Sequence, residues 1–227
     1  MRALVFDVFG TVVDWHGGVV RDVRRLLPGV DADAFAAAWR WRYEPSMDRV
    51  RRGERAWAVL DTLHRESLDA LLDEFGQHAD EETRAELVLA WHRLDPWPDS
   101  VAGLTELRER FVVASLSNGN VSLLVDMARH AKLPWDCVLS AELFRKYKPD
   151  AAVYRGAAEL LGIAPGELLM VAAHPSDLEA AQRAGLRTAY VPRPLEHGPQ
   201  GGGEAVGDRT FDWTAADFGD LARQLGA

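Results

Sequence analysis

The sequence predicts an α/β fold, a doubly wound parallel sheet interrupted by an inserted all-helical segment. Three observations predict it. The chain opens on a near-continuous apolar run from Ala3 to Val13, the pattern of a central parallel strand covered on both faces. From Asp99 onward, apolar runs alternate with helical patterns, which implies parallel strands joined by right-handed crossovers. Between these regions, residues 16–94 carry helical periodicity and no strand signal. The expected division is therefore a sheet domain of residues 1–15 and 95–227, with 16–94 inserted.

The elements follow in order. After Asp14, the residues Val19, Val20, Val23, Leu26 and Leu27 recur at helical spacing until Pro28-Gly29 stops them. Asp31 or Asp33 can cap a second helix through Phe35, Trp39 and Tyr43, expected to break before Pro45. A longer periodic stretch from Glu54 to Phe75 closes at Gly76. Asp80-Glu81-Glu82 places acids on the first turn of a helix running toward Trp91 and Leu94, before the rigid turn Asp95-Pro96-Trp97-Pro98.

Beyond that turn, a helix from Asp99 to Arg110 feeds the strand Phe111 to Leu116, and a helix through Leu123 and Met127 follows. Further strands are expected at Cys137–Ser140, Leu168–Ala173 and Thr188–Val191, with intervening helices through Tyr154 and up to Gly185. Gly198 to Gly207 reads as a surface excursion, since it does not lead from a strand into a capped helix. Residues Thr214 to Leu225 should form a terminal helix.

Bulk properties narrow the function. The 227 residues suffice for a full core. No run of about eighteen apolar residues occurs and no processing pattern precedes the first strand, so a cytoplasmic protein without a membrane span or signal peptide is expected. The single Cys137 permits no internal disulfide. A net charge of −9 and a pI near 5.3 disfavour nucleic acid and anionic membranes as partners. An anionic small substrate would need local cations.

Asp7 is the first candidate for chemistry, because it stands where the opening strand ends, the place at which open α/β sheets collect reactive groups. A buried lone carboxylate is costly unless paired. Three other strand ends converge with it: Ser117-Asn118-Gly119, Lys148-Pro149 and His174 to Asp177. Each also has an ordinary explanation, Ser117-Asn118 and Asp177 as helix caps and Lys148 as a loop lysine. Of the 8 tryptophans, Trp15, Trp39, Trp41, Trp57, Trp91 and Trp97 fall in or beside the insertion. Pocket walls and helix packing explain them equally.

Taken together and in this order, these segments resemble the haloacid dehalogenase superfamily over nearly the whole chain. The resemblance implies a Rossmann-like core with the insertion as a cap over the site. Magnesium-dependent phosphohydrolases dominate that superfamily and carry a second Asp two residues after the nucleophile, where this chain has Phe9. They also carry a Gly-Asp where this chain has Ala172-Ala173. An alkoxide leaving group needs a proton and a phosphoryl group needs its charge neutralised, whereas a halide needs neither.

Phe9-Gly10-Thr11, the Ser117-Asn118-Gly119 turn, and Lys148 with Tyr154 are similar to the L-2-haloacid dehalogenases within the superfamily. This resemblance implies hydrolysis of small L-2-haloacids or haloacetate, without metal or cofactor, by a protein of a group in which homodimers are common. It casts Asp7 as nucleophile, Lys148 as its ion partner, and Asp177 as the residue that orients water. Thr11, Ser117 and Asn118 would bind the substrate carboxylate, and Tyr154 would support the site. Arg40, chosen over Arg42 on the resemblance alone, would meet the halide in a pocket with Phe9, Trp41, Trp57 and His174. His174 departs from the family's asparagine, and three roles stay open to it: halide donor, water-orienting base, or structural histidine. A slow phosphohydrolase and a non-catalytic binding member are the alternatives.

Overall fold

The computed structural model describes residues 1–199 and 201–227. Gln200, inside the glycine-rich stretch expected to loop out, lies outside the described residues. Six strands form one sheet: β1 (Ala3–Phe6), β4 (Val112–Ser117), β5 (Cys137–Ser140), β6 (Leu168–Ala172), β7 (Arg187–Tyr190) and β8 (Trp213–Thr214), in the order β5-β4-β1-β6-β7-β8. All pairs are parallel, with Phe6 opposite Ser115 on one side and Val171 on the other. The chain moves outward through β4 and β5 and then crosses to the far side of β1 for β6. That reversal is a topological switch point, and it opens a crevice at the carboxyl end of β1.

The alternation of side chains along β1 divides the core between two faces. Leu4 and Phe6 pack with Leu104 and Leu107 of α6 (Ser100–Arg108), Leu123 and Met127 of α7 (Val121–Ala131), and Phe218 of α10 (Phe218–Leu225). Ala3 and Val5 pack with Val153 and Tyr154 of α8 (Ala151–Leu160) and Leu178 and Ala181 of α9 (Pro175–Ala184). The sheet is doubly wound, as its alternating pattern predicts.

Between β2 (Val13–Asp14) and β3 (Asp95–Pro96), the chain is helical: α1 (Trp15–Leu26), α2 (Ala32–Trp41), α3 (Tyr43–Arg51), α4 (Leu60–Glu74), α5 (Glu81–Val88) and a 3-10 turn over Leu89–His92. β2 and β3 pair antiparallel, so the segment leaves and returns at one stem. Asp14, Asp31 and Asp80 accept the first-turn N–H groups of α1, α2 and α5, so of Asp31 and Asp33 it is Asp31 that caps α2.

Three expectations need correction. Pro45 does not end a helix: the break falls at Arg42, and Pro45 sits in the first turn of α3, where its missing N–H would have no partner anyway. The helix expected from Glu54 starts only at Leu60. The terminal helix starts at Phe218 behind the Asp217 cap, because Trp213 and Thr214 form the edge strand β8. Strand β8 is two residues long and carries no readable period.

Candidate active site

Asp7 follows β1 directly and is 7% exposed, so almost every group around it is protein. Lys148 donates to Asp7 Oδ1 at 2.9 Å and to Asp177 Oδ2 at 2.6 Å. The Tyr154 hydroxyl donates to the other oxygen of Asp177 at 2.5 Å. Burial pushes the Asp7 carboxyl up, but the Lys148 ammonium and the His174 hydrogen bond outweigh it and hold it below its ordinary range. Burial and the neighbouring Asp7 charge raise the Asp177 carboxyl despite Lys148. Burial alone would lower the Lys148 ammonium, but the two carboxylates raise it. Environment thus separates two carboxylates sharing one lysine into an ionised one and a more basic one.

These groups face a cavity of about 610 Å³ whose walls include Phe9, Asn118 and Pro149 from the sheet side and Arg40, Tyr43 and Arg51 from the helical segment. Arg51 donates to the backbone carbonyl of Lys148 at 2.5 Å, tying α3 to the loop that carries the lysine. Arg40 lies over the Tyr43 ring at 4.3 Å and the Trp15 ring at 5.6 Å, and its buried Nε has no hydrogen-bond partner among the described residues. A buried guanidinium with a free donor is an anion receptor. Arg42 instead pairs with Glu74, away from this cavity.

Several expected carboxylate and halide contacts fall elsewhere. Thr11 is fully buried; its hydroxyl donates to Asp7 Oδ2 at 2.8 Å and accepts from the Ala173 N–H at 3.0 Å. It buttresses Asp7 and has no donor left for a substrate carboxylate. Ser117 is also fully buried and accepts the Gly119 N–H at 3.2 Å. It shapes the turn that brings Asn118 to the cavity, where Asn118 Oδ1 accepts the Lys148 N–H at 2.8 Å.

Neither Trp41 nor Trp57 belongs to the pocket. Trp41 is 78% exposed at the end of α2, and Trp57 packs on Tyr147 with ring centroids 4.6 Å apart. Trp15, Trp39 and Trp91 are core residues, Trp91 stacking on Trp15 and meeting the edge of Phe9. Packing therefore accounts for Trp15, Trp39 and Trp91, Trp41 faces solvent, and Phe9, Tyr43 and Tyr154 supply the aromatic walls.

His174 sits between two carboxylates. Its Nδ1 is 3.0 Å from Asp7 Oδ2, and its Nε2 is 2.9 and 3.0 Å from the oxygens of Glu196. Burial would lower its pKa, but the hydrogen bonds to Asp7 and Glu196 raise it to about 10. Glu196 is 1% exposed, also accepts from the Trp15 indole at 3.2 Å, and is held below its ordinary value by His174 despite burial. Sequence reasoning missed Glu196, Tyr43 and Arg51. The signal for Glu196 was its loop, which follows β7 at the same edge of the sheet as the other site loops.

Sequence and fold are similar to those of known proteins. A family model described as haloacid dehalogenase-like hydrolase matches residues 1–185. An (S)-2-haloacid dehalogenase of Burkholderia cepacia is 32% identical over 199 residues, 85% of this chain and 84% of that protein. The crystal structure of a defluorinating L-2-haloacid dehalogenase superposes with a TM-score of 0.95 at 47% identity, covering 100% of this chain and 96% of that one. The L-2-haloacid dehalogenase of Xanthobacter autotrophicus, solved with chloropropionic acid covalently bound, superposes with a TM-score of 0.86 at 28% identity and covers 100% and 99%. With the sheet order, the strand-end carboxylates and their lysine all in place, the chain belongs to the haloacid dehalogenase-like hydrolases.

Proposed function

We propose that this protein hydrolyses small (S)-2-haloacids or haloacetate to 2-hydroxy acids through an ester on Asp7, without metal. The observation that carries this reading is the Asp7–Lys148–Asp177 arrangement beside Phe9. Asp7 is an ionised nucleophile, Asp177 is a carboxylate of raised basicity, and an apolar ring stands where a leaving alkoxide would need an acid. Asp7 attacks C2 in line and the halide leaves with the bonding pair, inverting the carbon. Asp177, anchored by Lys148 and Tyr154, then orients water onto the ester carbonyl, splitting one hard displacement into two easier steps.

In this reading Arg40 and Lys148 are the local cations that an acidic protein needs for an anionic substrate, Arg40 receiving the halide and Lys148 steadying the carboxylate. Asn118 orients that carboxylate. Residues 16–94 act as a cap on a core of 1–15 and 95–227, supplying Arg40 and Tyr43 to a site whose nucleophile belongs to the core. Because a similar solved structure is described as a defluorinating L-2-haloacid dehalogenase, fluorinated acids belong among the substrates tested. No helix among the described residues is long and apolar enough to cross a membrane.

The test uses EDTA-treated protein with chloroacetate, L-2-chloropropionate, fluoroacetate and, separately, a nitrophenyl phosphate. Halide release without metal supports the reading and ranks the substrates. Magnesium-dependent phosphate release with no halide would replace it by a phosphohydrolase.

A further inference from the structure

The two oxygens of Asp7 are not equivalent. Oδ2 faces two donors, the Thr11 hydroxyl at 2.8 Å and His174 Nδ1 at 3.0 Å. The polarity of the first is fixed, because Thr11 Oγ1 already accepts the Ala173 N–H and its proton must point to Asp7. The polarity of the second follows from Glu196, which faces His174 Nε2 with both oxygens. A ring with a carboxylate at each nitrogen satisfies both only when both nitrogens carry protons. Oδ1, by contrast, accepts only from Lys148 among the described residues.

We propose that His174, kept an imidazolium by Glu196, is a catalytic residue of ester hydrolysis: with Thr11 it forms the oxyanion hole for Asp7 Oδ2, while Oδ1 attacks the substrate and later departs. This rests on the haloacid reading above. In the first step, an Oδ1 lone pair forms the bond to C2 and the carbon–halogen pair leaves with the halide. The ester carbonyl is then Cγ–Oδ2, with both donors already in place.

In the second step, water attacks Cγ and passes one proton to Asp177, and the carbonyl π pair moves onto Oδ2. There it meets the Thr11 hydroxyl and the His174 N–H, which need no reorganisation to receive it. Collapse re-forms the carbonyl and breaks the Cγ–Oδ1 bond. Oδ1 leaves with that pair beside the Lys148 ammonium and takes the proton from Asp177, giving the 2-hydroxy acid. The other water proton leaves as Asp7 re-ionises. Glu196 touches no reacting atom and is a positioning residue.

The experiment is rapid quenching of Glu196→Gln, Glu196→Asp and wild-type protein mixed with chloroacetate, following chloride and the mass of the Asp7 peptide. Expected for Glu196→Gln is a chloride burst close to one per site, ester accumulation on Asp7, and steady-state turnover lower by on the order of 10²-fold. The deficit should deepen as pH rises, and Glu196→Asp should restore hydrolysis in part. Wild-type hydrolysis in Glu196→Gln, or a slowed burst with no ester, overturns the proposal. If Glu196→Gln does not fold by its thermal melt, His174→Gln is judged by the same criteria. A wild-type protein that releases no chloride overturns the haloacid reading and this inference with it, whereas normal wild-type turnover with an unaffected variant overturns this inference alone.

Discussion

Glu196 occupies the space that a side chain at Gly10 would need. Gly10 holds a φ of +81°, and a Cβ built there would run into the Glu196 carboxyl group. Its neighbour Thr11 and the Trp97 indole, which donates to the Gly10 carbonyl at 2.9 Å, fix the turn on both sides. Gly10→Ala is therefore expected to lose about 1–2 kcal/mol from the backbone alone, and to push Glu196 off His174. Urea unfolding with halide turnover checks this: a variant as stable and as active as wild type would show that the close approach is not required.

Asp7→Asn should abolish halide release, by on the order of 10⁴-fold or more, since no other carboxylate reaches the same place. Asn is nearly isosteric and still accepts from Lys148, so the fold should persist. The measurement is single-turnover halide release beside a thermal melt. Residual release near wild type in a folded variant would exclude Asp7 as nucleophile.

Why these residues were legible and others were not has a physical basis. Asp7 follows β1, Asp177 lies in the first turn of α9 just beyond β6, and Lys148 stands in the connection from β5 to α8, so all three fall on the carboxyl side of strands that periodicity alone locates. The doubly wound sheet was legible for the same reason. Arg40 was named through resemblance, because Arg40 and Arg42 look alike in sequence and only the packing of α2 turns one toward Tyr43 and the other toward Glu74. Trp41 and Trp57 were misplaced for a related reason: a tryptophan's residue type does not say which side of a helix or loop faces the cavity. Glu196 was missed although its loop follows β7, because its partner His174 lies 22 residues away in the chain and no local pattern joins them.

Arg40 and Trp41 are adjacent in sequence and opposite in environment, which makes a matched pair of tests. Arg40→Lys should lower halide turnover by on the order of 10²-fold, because an ammonium cannot reproduce the planar stack on Tyr43 together with a free Nε donor. Trp41→Ala, at an exposed site, should stay within about twofold. Steady-state kinetics with chloroacetate decide between them. Loss of turnover in Trp41→Ala with Arg40→Lys unaffected would reverse the assignment of the pocket wall.

The free protein should lose stability on the alkaline side through His174. The folded-state pKa of this residue is raised from 6.5 to about 10. A raised pKa contributes stability that is complete below about 6.5 and is lost as pH climbs through about 10. Asp7, held below its ordinary 3.8, acts at the other end: its contribution is present at neutral pH and is lost only in acid. Lys148 is raised above 10.5, so its loss lies beyond that of His174. The unfolding free energy should therefore fall between pH 7 and 10 with a slope that His174→Asn lacks, since asparagine carries no proton to lose. Glu196→Gln removes one of the two carboxylates at the ring and should move the same fall to lower pH. Chemical denaturation at pH intervals measures all three chains, and parallel curves for wild type and His174→Asn would mean that the ring is not held charged between Asp7 and Glu196.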